Sequence, residues 1–343
     1  MTGRPDAPDA ARRLAPVVRL APAKLNLTLA VTGHRPDGFH ELHSVMVTLA
    51  LADVLTLARA PAGADTLHVE GHDPGPPGEN LVLRAIAEAR RAVGSGWADL
   101  GGPAGPGAGP APALAVRLDK RIPVAAGLAG GSSDAAAALD GALDAWGAIL
   151  DPVGRAEIAA RLGSDVPFFL TGGPALVEGR GERCTPLGPI RGSPPGVLLV
   201  TPSLAVPTAA VFAAYAGGAR PRDPGATRLT SAHLATELTA GLSSVRLVER
   251  AGVLAVANDL FVAAATVVPE LIPFRRALAR LLGRPVGQSG SGPTAWALYP
   301  SLAEAAQAAE VVRAAVADGS VAIPGPGVPS IIATTIASTK EAA

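Results

Sequence analysis

The chain has 343 residues, 48% of them hydrophobic and 17% charged, which is long enough for two domains with a core each. Its 29 basic and 29 acidic residues cancel, so no global field draws it to nucleic acid or an acidic membrane. One cysteine, Cys184, excludes a disulfide framework within the chain and a cysteine-based metal site.

Residues 1–15 carry charge but no apolar run, so a disordered extension is expected there rather than a secretory signal. No uncharged apolar stretch reaches about 18 residues without Pro or Gly, so no membrane span and a cytoplasmic protein are expected. Residues 17–21 and 25–31 read as strands, 33–38 as a loop by its turn chemistry, and 44–50 and 53–57 as further strands. Residues 80–93 have helical spacing, with Leu81, Ala85 and Ala89 on one face. The Gly/Pro/Ala-rich stretch 94–112 reads as a flexible surface insert, and 114–118 as a strand.

Alanine content predicts a helix from 135 to about 145, and a second over 153–162 that stops at Gly163-Ser164-Asp165-Val166-Pro167. A strand at 175–178 and a linker at 190–195 precede a second domain, which opens on a strand at 197–200. Helical patterns at 207–215, 231–242 and 271–282 and strands at 295–298 and 330–336 complete the chain. This mixture predicts the α+β class, with domains over 16–189 and 196–338.

The chemistry concentrates in Pro123-Val124-Ala125-Ala126-Gly127-Leu128-Ala129-Gly130-Gly131-Ser132-Ser133-Asp134. Glycines let backbone N–H groups approach an anion, and the alanine helix that follows turns its positive end toward the loop. Two hydroxyls add donors for phosphate oxygens. The segment is neither a Walker A loop, which ends in Gly-Lys-Ser/Thr, nor a dinucleotide fingerprint. On the loop alone, an ordinary Gly- and Ala-rich turn is an equally good reading in a chain with 40 glycines. Asn26 follows Lys24 by two, so on a strand their side chains share a face.

Four segments stand in order: Ala21-Pro22-Ala23-Lys24-Leu25-Asn26-Leu27, the loop at 123–134, Leu162-Gly163-Ser164-Asp165-Val166-Pro167-Phe168-Phe169, and Gly287-Gln288-Ser289-Gly290-Ser291-Gly292-Pro293-Thr294. Together they resemble the GHMP kinase superfamily. Thr32-Gly33-His34-Arg35-Pro36-Asp37-Gly38-Phe39-His40-Glu41-Leu42 looks like the cytidine-binding segment of the branch that acts on a cytidine diphosphate-linked methylerythritol. The resemblance covers about residues 20–336.

That resemblance implies a two-domain GHMP kinase fold: an N-terminal domain like the second domain of ribosomal protein S5, a ferredoxin-like C-terminal domain, and an active site in the cleft. It implies ATP-dependent phosphorylation of the acceptor's 2-hydroxyl, with Mg²⁺, in the non-mevalonate route to isoprenoid precursors. It implies a monomer or homodimer with no nucleic-acid or membrane partner. A homoserine or mevalonate kinase-like activity is the alternative that residues 33–42 argue against. A catalytically silent nucleotide-binding relative is a further alternative, and intact Lys24, Asp165, Ser132 and Ser133 argue against it.

For single residues, the resemblance implies Asp165 as general base with Lys24 beside it, and Asn26 as a substrate-positioning group. His40 corresponds to the residue that hydrogen-bonds the cytosine edge, and Phe39 and Phe212 to the aromatics that stack on its ring. ATP falls to Pro123, Val124, Ala125, Ala126, Gly127, Leu128, Ala129, Gly130, Gly131, Ser132 and Ser133. Asn80 and Leu81 are expected on the adenine side and Lys120 beside ribose or phosphate. The turn at 287–292 is expected to pack under the phosphate loop. Three departures stand out: Phe39 where tyrosine is common, Phe261 after Asn258-Asp259-Leu260 where glutamate is usual, and no glutamate where several superfamily members hold Mg²⁺.

Overall fold

The computed structural model describes residues 15–60, 63–73, 75, 80–94, 111–221 and 223–337. The extension expected over 1–15 lies outside them except for its last residue, and the insert over 94–112 except for its ends. The described residues form two compact units, each drawn from separated stretches of chain. The first takes residues from Met1–Ala21, Ala52–Val124 and Gly130–Leu170, the second from Pro22–Leu51, Ala125–Ala129 and Thr171–Ala343. Residues 22–51 and 125–129 fold with the C-terminal half, as hydrogen bonds such as Ser289 Oγ to Gly127 O require.

In the first unit, strand β5 (Leu114–Lys120) lies between β4 (Thr66–Gly71), which is parallel to it, and the second half of β3 (His40–Arg59), which is antiparallel. Strand β3 is one 20-residue strand where the sequence suggests two. Alanines at 50 and 52 read as a break, but pairing on both sides overrides their weak strand preference. Strand β1 (Val17–Asn26) begins in this unit and ends in the other.

Helix α1 (Leu81–Val93) buries Val82, Ala85, Ile86, Ala89 and Val93, a stripe at i, i+3, i+4, i+7 and i+11. Leu81 is only half-buried, so the inward face is turned one residue from the expected one. Helix α2 (Gly130–Trp146) starts five residues before the expected position, inside the glycine-serine loop. It is buried along nearly its whole length, and Gly141 shows why its side chains are small: a Cβ there would stand 2.6 Å from Leu57 Cδ1. Helices α3 (Pro152–Leu162) and α4 (Val166–Thr171) complete the unit, with Asp151 capping α3.

In the second unit, β2 (Ala30–His34) and β6 (Ala175–Gly179) pair antiparallel with the first half of β3, and β7 (Arg183–Pro186) pairs with β6. A separate antiparallel sheet has the order β11-β8-β10-β9, from Ser330–Thr335, Gly196–Thr201, Ala295–Tyr299 and Gly287–Gln288. Helices α5 (Thr208–Ala216), α6 (Pro224–Thr239), α7 (Ser244–Glu249), α8 (Ala251–Leu254), α9 (Leu260–Val267), α10 (Leu271–Leu282) and α11 (Leu302–Ala317) belong here. Leu198, Val200, Val211, Leu260, Phe274 and Val312 form the centre of this core. Segregated helices and antiparallel strands match the expected α+β class.

Candidate active site

Within the second unit, the loop Ala125–Ala129 has left-handed backbone at alternate residues: φ is +54° at Ala125, +76° at Gly127 and +54° at Ala129. Such alternation gathers successive N–H groups into an anion-binding concavity. Holding an alanine there costs about 1 kcal/mol, so the surroundings must fix the loop. Lys24 N donates to Leu128 O at 3.0 Å, Ser289 Oγ to Gly127 O at 2.9 Å, and Thr294 N to Ala126 O at 3.3 Å. The turn at 287–292 thus packs against the loop, as the sequence suggests.

Gly127 is where the two segments meet most closely. A Cβ there would stand 2.4 Å from Ser289 O and 3.0 Å from Gly292 O, both backbone atoms that cannot swing aside. Gly127→Ala is expected to displace the loop and raise the KM for ATP by about a hundredfold, the scale of an ångström's misplacement. Steady-state kinetics against ATP check this, and an unchanged KM would count against the loop as the phosphate cradle.

Lys24 and Asn26 end β1, both buried. Lys24 Nζ donates to Asn26 Oδ1 at 2.5 Å, so the shared strand face is realised. Asn26 Nδ2 donates to Ser44 Oγ at 2.9 Å, and Asn26 N to Ser289 Oγ at 3.4 Å. Ser44 therefore anchors the side-chain amide that holds the ammonium, while Ser289 holds the Asn26 backbone. Gly290, at φ +56°, leaves the space free: a Cβ would stand 3.2 Å from Lys24 Nζ and 3.4 Å from Gly127 O.

The segment 33–42 forms the β2–β3 turn, closed by Arg35 N donating to Phe39 O at 2.8 Å, with Gly38 at φ +84°. Arg35 is held by Asp37 and Glu41. Phe39 is 46% exposed, with the Arg180 guanidinium 5.0 Å from its ring centre. His40 stacks on Phe212, centroids 5.0 Å apart and planes 28° from parallel, and meets Tyr215 edge-on at 5.9 Å. Burial, then the neighbouring His34 and Arg220 charges, push the His40 imidazole below its usual pKa. The ring is therefore neutral near pH 7, with one N–H donor and one acceptor nitrogen. Tyr215 is a residue that sequence reasoning missed. Its signal was present, because it lies three residues after Phe212 on α5 and so on the same face.

In the first unit, Gly130, Gly131, Ser132 and Ser133 form the first turn of α2, whose leading N–H groups have no partner within the helix. The Ser133 hydroxyl is buried and has no hydrogen-bond partner among the described residues. Asp165 lies in the turn between α3 and α4, half-buried. That turn approaches α2: a Cβ on Gly163 would stand 3.9 Å from Ser132 Oγ. Leu81 likewise meets the start of α2, 3.9 Å from where Gly131 would carry a Cβ. Asn80 caps α1, its Oδ1 accepting from Val82 N at 2.9 Å.

The Lys120 side chain is held within the protein itself. Its ammonium is buried between two carboxylates, paired with Asp53 and, at 2.9 Å, with Asp134 Oδ2. Burial is the main cause that pushes the Asp134 carboxyl up to about 8, against the pull of Lys120, with Asp53 adding to the rise. Phe261, the second departure, carries the Arg275 guanidinium 4.3 Å from its ring centre. That arginine donates to Val286 O and Ala255 O, so the aromatic helps hold a cation that ties α10 to its neighbours. For Mg²⁺, no group of three His, Cys, Asp or Glu side chains converges among the described residues. The unpartnered Ser133 hydroxyl at a helix start is the donor that fits the ion, in the company of phosphate oxygens.

Comparison with known proteins gives this geometry a context. Residues 80–173 match the GHMP kinases N terminal domain family. The 4-diphosphocytidyl-2-C-methyl-D-erythritol kinase of Pelotomaculum thermopropionicum is 39% identical over 298 residues, 87% of this chain and 94% of the relative. A solved 4-(cytidine 5'-diphospho)-2C-methyl-D-erythritol kinase superposes with TM-score 0.64 at 31% identity, covering 93% of this chain and 99% of that one. The homoserine kinase of Cytophaga hutchinsonii, at 16% identity and TM-score 0.62 over 94% of this chain and 95% of that one, shares the fold.

Proposed function

The chain belongs to the 4-diphosphocytidyl-2-C-methyl-D-erythritol kinase family, and from that membership we propose how its residues divide the work of phosphoryl transfer. It is a small-molecule kinase of GHMP fold that phosphorylates the 2-hydroxyl of 4-diphosphocytidyl-2-C-methyl-D-erythritol from ATP, in the non-mevalonate route to isoprenoid precursors. No helix among the described residues is long and apolar enough to cross a membrane. We place the reaction in the cytoplasm, where ATP and a water-borne acceptor meet.

Such a transfer needs a cradle for the leaving diphosphate, neutralisation of charge on the γ-phosphoryl, and a group to take the hydroxyl proton. The left-handed loop at 125–129 gathers N–H groups for the phosphates, and the leading N–H groups of the first turn of α2 are donors of the same kind. Ser133, together with phosphate oxygens, would hold Mg²⁺, which would supply neutralising charge. Asp165 takes the proton from the 2-hydroxyl as that oxygen bonds to the γ-phosphorus and the bond to the bridging oxygen of ADP breaks. Lys24, oriented by Asn26, steadies the charge developing on the reacting oxygens.

The cytidine end of the acceptor falls to the β2–β3 turn. Neutral His40 matches the mixed donor and acceptor edge of cytosine, and the open ring of Phe39 offers a stacking face. This turn is the observation that carries the reading, because a kinase for a bare alcohol has no use for it. Purified protein is expected to release ADP from ATP only when the diphosphocytidyl acceptor is present. Turnover of homoserine or mevalonate instead would overturn the acceptor, and ATP binding without turnover of any alcohol would favour a silent relative.

A further inference from the structure

The most heavily buried ionic cluster of the first unit lies where the phosphate loop leaves and rejoins it. Asp53, wholly buried in β3, accepts with Oδ1 from Arg121 N at 2.5 Å and Ile122 N at 2.7 Å, and with Oδ2 from Lys120 Nζ. These three donors form the outgoing root of the loop. Lys120 Nζ also reaches Asp134 Oδ2 at 2.9 Å, in the second turn of α2 and next to Ser132 and Ser133. The returning chain passes so close that a Cβ on Gly130 would stand 2.8 Å from Lys120 Nζ and 3.0 Å from Ile122 Cγ2. Asp53 therefore grips the outgoing root, Asp134 stands on the returning one, and a single ammonium joins them.

Apolar residues of similar volume would fill this space with less desolvation cost, so stability alone does not account for three buried ionisable groups. We infer that Asp53, Lys120 and Asp134 are positioning residues whose buried staple sets the span of the phosphate loop and hence the affinity for ATP. The inference rests on the reading of residues 123–133 as the ATP cradle. It moves Lys120 from a ligand contact to a support beneath the site, and it gives Asp134 a part that the sequence leaves unassigned.

The variant to make is Asp134→Ala in the full chain. It removes one carboxylate and leaves the Lys120–Asp53 pair balanced, so the fold has no uncompensated buried charge. Should it fail to fold, Asp134→Ser, too short to reach Lys120, is read in its place. The expected result is a KM for ATP raised about ten- to a hundredfold with the acceptor KM and kcat nearly unchanged. Asp134→Asn, whose amide oxygen still accepts from Lys120, is expected to restore most of the loss. Amide hydrogen exchange over residues 123–133 is expected to quicken in the alanine variant and not in the asparagine one.

Equal ATP KM in the alanine variant and wild type, with only a lowered melting temperature, would overturn the staple and leave a structural cluster. So would an asparagine variant as impaired as the alanine one. Ser133→Ala separates the two levels of inference. If it leaves the ATP KM unchanged, the cradle reading fails and the staple with it. If it raises the ATP KM while Asp134→Ala does not, the staple alone fails.

Discussion

Asp165→Asn is expected to lower kcat by about a hundred- to ten-thousandfold, the range of general acid–base contributions, with ATP binding largely kept. The two side chains have the same shape, so the turn between α3 and α4 keeps its geometry and its approach to Ser132. What asparagine lacks is the ability to take a proton from the attacking hydroxyl. A rapid-mix ADP assay beside a direct ATP titration separates the chemical step from binding. If Asp165 served only as a static counter-charge, the loss would be modest, because loose phosphoryl transfer needs little help from a base. Retained turnover would therefore overturn the base assignment. Lys24→Met adds a second test: if the two side chains act on one hydroxyl as a unit, the double variant is expected to be little worse than Asp165→Asn alone.

How far the sequence carries such an argument depends on the reach of each interaction. Lys24 and Asn26 were legible because a strand puts i and i+2 on one face and nothing distant needs to be known. The start of α2 was not, because two glycines and two serines are poor helix formers and the alanines point to a start at 135. Tertiary packing overrides that preference, since the leading N–H groups of a helix need no intrahelical partner. The Asp53–Lys120–Asp134 cluster was illegible for a different reason: its members are far apart in the chain and only the pairing of β3 with β5 brings Asp53 to the loop. Helix α11 was missed although Ser301 and Glu304 stand at capping-box spacing, and Ser301 Oγ does accept from Glu304 N at 3.2 Å. There the alanine-rich composition of the whole chain hid a local signal.

Lys120→Met carries the largest stability effect expected here. It leaves Asp53 and Asp134 buried together without their cation, and breaking a buried ionic cluster in this way costs about 3–5 kcal/mol. The cost is also expected to depend on pH with a definite sign. Asp134 titrates at about 8 in the folded protein against an ordinary value of 3.8, so the folded state keeps a proton that the unfolded chain gives up. A raised carboxyl contributes stability that is complete below the unfolded value and disappears as pH rises through the folded one. Wild-type stability is therefore expected to fall from about pH 4 to about pH 8, by up to about 1.4 kcal/mol per unit for one proton. Asp134→Asn, which mimics the protonated carboxyl, is expected to flatten that slope and to be the more stable protein at the alkaline end. In Lys120→Met the group that pulls the Asp134 carboxyl down is gone, so the decline is expected to continue to higher pH. Denaturant unfolding of the metal-free protein across this range reads all three slopes. A Lys120→Met variant as stable as wild type, with an unaltered pH profile, would show that the ammonium does not hold the two carboxylates together.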